Sequence, residues 1–132
     1  FIVKFKKTCN PKWKLTIETS LCVKQSHIKK LLPIIDYWII DIKDMDNKRY
    51  KRYTGRNNSL MKRNLEYLLN QGKAEQILIR VPYIGRYNTE VHVDENIKLL
   101  KELGVVNIER FTYEIPSRRF SKLEDVLLGA LE

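Results

Sequence analysis

Charged side chains stand inside runs that are otherwise apolar. In YWIIDIK, residues 37–43, an acid and a base, Asp41 and Lys43, occupy alternate positions at the end of a strand-like stretch. Side chains two apart on a strand share a face and lie roughly 6 to 7 Å from one another, so this pair points one way. Glu18 falls near the end of LTIETS, residues 15–20, and Arg80 interrupts ILIRVPYI, residues 77–84. Burying a charge is costly unless it is paired or bound to something. Each of these four therefore sits at a surfacing strand end or belongs to a site. Singly, each has an ordinary structural account: Glu18 pairing with a nearby lysine, Asp41 with Lys43 as a same-face ion pair, Arg80 laying its aliphatic stem over the core. Jointly, two acids and two bases at corresponding places on three strands form a mouth able to hold a polar, charged ligand.

The elements that would bring them together alternate along the chain. LTIETS reads as a strand, and Ile28, Leu31, Leu32 and Ile35 recur at helical spacing behind a candidate cap at Ser26. YWIIDIK is a second strand. Asp46 caps a short basic helix ending by Gly55, and Met61, Leu65, Leu68 and Leu69 form a stripe that begins near Ser59 and stops at Gly72. ILIRVPYI is a third strand, broken at Pro82. Ile97, Leu100 and Leu103 make a further stripe ending at Gly104, followed by a fourth strand at 107–115 and a short helix with Ser121 and Glu124 in capping-box spacing. This order predicts an α/β fold: a parallel sheet of about four strands with right-handed helical crossovers. In such sheets chemistry gathers at the C-terminal strand ends, where Glu18, Asp41, Lys43 and Arg80 fall.

The 132 residues, 43% hydrophobic, suit one domain spanning 1–132, with no apolar run long enough for a membrane span. Cys9 and Cys22 are too far apart for a CxxC clamp and too few for a disulfide scaffold, so a reduced, cytoplasmic setting is expected. The net charge of +9 is concentrated. Residues 1–14 carry five lysines and residues 48–63 carry Lys48, Arg49, Lys51, Arg52, Arg56, Lys62 and Arg63, with no acid in either stretch. Tyr50 and Tyr53 interleave the second cluster, as on a phosphate-and-base surface. No nucleic-acid-binding motif accompanies them, and a solvated helix face is the preferred account.

Three segments, ETS at 18–20, LLPIIDYWIIDIKDMDNKRYKRYTGRNNSLMKRNLEYL at 31–68 and IRVPYIGRYN at 79–88, together resemble the latter part of the glycyl-radical-enzyme activating enzymes. This is a branch of the radical S-adenosylmethionine enzymes typified by pyruvate formate-lyase activating enzyme. The likeness runs from Leu15 to Pro116, and the D-x-K-x-M-D stretch followed by Thr-Gly and an aliphatic helix is its most specific part. It implies part of a (β/α)6-type partial TIM barrel. It also implies that Asp41 and Lys43 bind the ribose and methionine portions of S-adenosylmethionine. Glu18, Thr19 and Asp41 would flank a monovalent cation, Arg80 would be the active-site arginine near cofactor and partner, and Val81, Pro82 and Ile84 would form the apolar wall by the adenine. The whole enzyme would work with a 4Fe-4S cluster, a reductant such as flavodoxin or ferredoxin, and a glycyl radical enzyme such as pyruvate formate-lyase.

The departures are equally specific. A cluster needs three correctly spaced thiolates, and CxxxCxxC is absent from this sequence, as is a GGEP-like stretch. The family's proline-glycine-tyrosine-asparagine turn appears as Gly85, Arg86, Tyr87 and Asn88, and its adenosine-side histidine falls at Glu114. The expectation is a C-terminal portion that contributes cofactor and partner contacts but no cluster ligand. Its first strand would be an open edge able to pair with a second copy. The competing reading is a basic α/β module without enzymatic function that binds nucleic acid or protein.

Overall fold

A computed structural model describes residues 1–9 and 12–113. After an N-terminal helix α1 (Ile2–Cys9), strands and helices alternate: β1 (Thr16–Thr19), α2 (Gln25–Leu31), β2 (Tyr37–Asp41), α3 (Asn47–Thr54), α4 (Ser59–Asn70), a 3-10 turn (Ala74–Gln76), β3 (Ile77–Ile84), α5 (Glu90–Glu102) and β4 (Ile108–Tyr113). The four strands form one sheet in the order β1-β2-β3-β4, every pair parallel. Glu114 and the expected final helix lie outside the described residues.

Burial alternates along the strands and separates the two faces. Trp38 and Ile40 are fully buried in register with Ile77 and Ile79, and with the equally buried Ile42 and Val81 they pack in one core with Ile28 of α2, Met61, Leu65 and Leu68 of α4, and Val93 and Leu100 of α5. The opposite face carries Glu18, Ile39, Asp41, Leu78, Arg80, Glu109, Phe111 and Tyr113, none of them fully buried, and, beyond Arg80 on β3, the buried Pro82 and Ile84. The hydrophobic core therefore lies on the helical side of the sheet. The other side presents polar and aromatic groups.

Several local expectations change. The helix after β1 starts at Gln25 with Lys24 at its cap position, so Ser26 lies inside it and makes no cap. Asp46 caps α3 as expected, accepting a hydrogen bond from Arg49 N at 2.9 Å, and Gly55 ends that helix with φ +76°. Leu103, expected in the apolar stripe of α5, is exposed; the buried stripe is Val93, Asn96 and Leu100.

β3 continues through Pro82 to Ile84 where a break was expected. Residues of a parallel strand turn their backbone polar groups to alternate neighbours. Ile42 N donates to Arg80 O, so Arg80 and, two residues on, Pro82 face β2. β2 has ended at Asp41 by then, so the N–H that proline lacks is not missed, and Pro82 O accepts from Asn88 Nδ2 at 2.8 Å.

Candidate functional site

The charged residues meet at the C-terminal end of the sheet. In-register pairing sets Asp41 beside Arg80 and places Glu18 one strand further out on the same face. Arg80 Nε donates to Asp41 Oδ1 at 2.7 Å, and Nη2 of the same guanidinium donates to Glu18 Oε2 at 3.0 Å. Arg80 and Asp41 are about a quarter exposed and Glu18 is 63% exposed, so the cluster lies in a shallow mouth open to solvent. Hydrogen bonding to Asp41, reinforced by Glu18, raises the pKa of Arg80 further above its already high value. Lys43 Nζ stands 3.7 Å from Asp41 Oδ2, an ion pair too long to be a hydrogen bond. Its three ammonium donors are thus not consumed by Asp41.

β4 supplies a wall that the sequence reading did not identify. The Phe111 ring lies 5.9 Å from the Arg80 guanidinium carbon and the Tyr113 ring 5.6 Å from Lys43 Nζ, both within cation–π range. The signal was present in the alternation of Glu109, Phe111 and Tyr113. Only the register, which pairs Pro82 with Phe111 and Ile84 with Tyr113, puts those rings beside the charges.

Other residues from the resemblance divide between the faces. Pro82 and Ile84 share the parity of Arg80, but both are buried, so they underlie the mouth and do not line its open surface. Val81 has the opposite parity and is fully buried in the core under the helices, so its side chain does not line the mouth. Thr19 pairs with Ile40, on the opposite face from Glu18 and Asp41, and its Oγ1 accepts from Leu21 N at 3.0 Å. Between Glu18 and Asp41 the compensating positive charge comes from Arg80.

The loop that carries Lys43 into α3 is held from several sides. Met45 N donates to Asn96 Oδ1 at 2.9 Å, Asn58 Nδ2 donates to Met45 O at 2.8 Å, and the buried Asp44 accepts from Arg49 Nε at 2.8 Å. Neither Asn58 nor Asn96 stands out in the sequence; each is a polar residue that tertiary packing has buried.

For S-adenosylmethionine the chemistry of the mouth fits: an ammonium with open donors for a carboxylate, a carboxylate for hydroxyl groups, and apolar and aromatic surface for a base. The described residues do not fit an iron–sulfur cluster. Cys9 lies on an exposed helix, the Cys22 thiol is 2.7 Å from Tyr50 Oη, and no three His, Cys, Asp or Glu among the described residues gather as a metal site. Among them, too, no helix is long and apolar enough to cross a membrane.

A four-stranded parallel sheet with one helical face and a charged mouth at its C-terminal edge defines the class, an α/β fold consistent with a partial TIM barrel. A domain of pyruvate-formate lyase-activating enzyme from Bacteroides vulgatus shares this fold with a TM-score of 0.56, covering 83% of this chain and 89% of that one at 13% identity. By sequence, the 4-hydroxyphenylacetate decarboxylase activating enzyme of Clostridium scatologenes is 34% identical over 124 residues, 93% of this chain and 38% of its own length. The indoleacetate decarboxylase activating enzyme of Tractidigestivibacter scatoligenes is 29% identical over 126 residues, 83% of this chain and 40% of its own length. No family model matches. The chain belongs by homology with the glycyl-radical-enzyme activating enzymes of the radical S-adenosylmethionine class, and it spans less than half the length of these curated relatives.

Proposed function

We propose that this chain is the C-terminal portion of a glycyl-radical-enzyme activating enzyme and supplies the part of its active site that orients S-adenosylmethionine and the partner's glycine segment. The observation that carries this reading is the mouth itself, where Arg80 ties Asp41 to Glu18 and Lys43 keeps its donors open. Lys43 would bind the cofactor's carboxylate and Asp41 its hydroxyl groups, as charge-assisted hydrogen bonds. Phe111 and Tyr113, backed by the buried Pro82 and Ile84, would exclude water beside the adenine, and Arg80, anchored through its Nε, would turn its outer edge toward the partner. S-adenosylmethionine, when bound, supplies the radical chemistry by which such enzymes take hydrogen from a glycine; the protein's share is binding and orientation.

Cluster ligands and the contact with a flavodoxin or ferredoxin would come from outside this chain, in a reducing cytoplasmic setting that suits two free thiols. The names of the relatives make an arylacetate decarboxylase the first glycyl radical enzyme to test, with pyruvate formate-lyase beside it.

Titration of S-adenosylmethionine into the chain, followed by saturation-transfer NMR and calorimetry, tests the reading. Lys43→Ala is expected to weaken binding by about tenfold, the scale of one lost charge-assisted hydrogen bond. Undetectable binding, or equal binding by chain and variant, would overturn it and leave the non-enzymatic module.

A further inference from the structure

A second concavity lies between the loop after β1 and the turn joining α3 to α4. Its volume is about 440 Å³ and it is lined by Cys22, Lys51, Gly55, Arg56, Asn57 and Leu60. None of these belongs to the charged mouth. The floor is apolar: half-buried Cys22 and Leu60, with the Cys22 thiol resting on the buried Tyr50 hydroxyl. The rim is cationic. Lys51 and Arg56 line it, Lys48 lies one turn before Lys51 on α3, Arg63 one turn after Leu60 on α4, and Lys24 two residues after Cys22. All five are exposed, and among the described residues none takes part in an ion pair. The arginines nearby that are engaged, Arg49 and Arg52, point elsewhere, to Asp44 and Glu95 and to the carbonyls of Arg86 and Tyr87.

We propose that this groove is a docking site for an extended acidic peptide segment of a partner protein, with carboxylates on the cationic rim and an apolar side chain on the Cys22–Leu60 floor. Charge complementarity selects the occupant: no acid lies among the lining residues or anywhere between 48 and 63. Single-stranded nucleic acid, the other polyanion, needs aromatic faces for base stacking. Here Tyr50 is buried, and Tyr53 is half-buried and engaged edge-on with Tyr87, centroids 4.8 Å apart, and neither lines the groove. The inference does not depend on cofactor binding at the mouth.

The probe is a fluorescein-labelled peptide, Gly-Glu-Glu-Leu-Glu-Glu-Gly, titrated with the whole chain and followed by anisotropy at low and high salt. Lys51→Glu with Arg56→Glu is expected to weaken binding by at least about tenfold, the sum expected of two exposed charge pairs reversed in sign. Lys4→Glu with Lys7→Glu, which makes the same charge change on exposed positions of α1, is expected to change it less than about twofold. In a Cys9→Ser background the bound peptide should slow iodoacetamide labelling of Cys22. Three results would overturn the proposal: equal losses from the two charge reversals, unchanged Cys22 labelling under saturating peptide, or an oligothymidylate that binds more tightly than the peptide and is lost with the same substitutions.

Discussion

At the scale of single residues, the mouth and the loop behind it rest on side chains with more than one partner. Arg80 is the clearest case, since one planar guanidinium satisfies two carboxylates from two other strands, which a lysine with its point charge would do less well. Exposure limits what these pairs contribute to stability, to about 1 kcal/mol or less each, so their consequence is geometric. Asp46 contributes to stability more directly. The Arg49 N–H donated to its carboxylate lowers its pKa, against a smaller opposing effect of burial. A carboxylate whose pKa is lower in the folded state adds stability above its unfolded pKa and loses it as pH falls through the folded one. Asp46→Ala should therefore cost about 1 kcal/mol near neutral pH, with the difference from the parent chain shrinking below the ordinary carboxylate range and Asp46→Asn recovering most of it. Urea titrations from neutral pH down into the acid range measure this. A pH-independent difference would show that the side chain acts through packing instead.

At the scale of elements, the sheet is covered by helices on one face, and among the described residues its outer strands, β1 and β4, each have one neighbour. β1 is an edge: Asp36 N and Tyr37 N both donate to Leu15 O, so odd-numbered residues of the strand face β2 and Thr16 and Glu18 turn their backbone groups outward. An unpaired edge is a template for another strand. The chain is expected to self-associate through it at micromolar concentration, seen as a sedimentation coefficient that rises with loading. Thr16→Pro removes an outward N–H without touching the β2 ladder and should restore a monomer boundary. Monomeric sedimentation of the unaltered chain at every concentration would remove the edge from consideration. α1 does not alter this expectation, since none of its residues is buried.

At the scale of the whole molecule, about a third of the length of its relatives is represented by one sheet, one layer of core and one mouth. Its two cysteines are differently placed, Cys9 exposed on α1 and Cys22 set against Tyr50. The isolated chain is expected to take up iron and sulfide without forming a stoichiometric four-iron cluster, because such a cluster wants at least three thiolates at one place. Anaerobic reconstitution with iron and sulfide counts, together with the visible absorption and electron paramagnetic resonance of the reduced sample, gives the answer. One full cluster per chain would show that these ligands suffice.

The amino-acid sequence by itself determined the alternation of strands and α-helices from β1 to β4, the parallel sheet and the end of the sheet at which Glu18, Asp41, Lys43 and Arg80 gather. Those features follow from local periodicity and from the rule that βαβ connections run one way, which need no knowledge of distant contacts. Tertiary structure decided the rest. Which strand residue lies opposite which, and hence that Phe111 and Tyr113 flank the cations while Val81 and Thr19 turn to the helical face, depends on register between segments far apart in the chain. That Pro82 leaves β3 unbroken depends on β2 ending two residues earlier. That Asn58 and Asn96 hold Met45 depends on α4 and α5 both packing against the loop after β2. In each case the deciding interaction joins residues whose separation in sequence carries no periodic signal, so packing alone could reveal it.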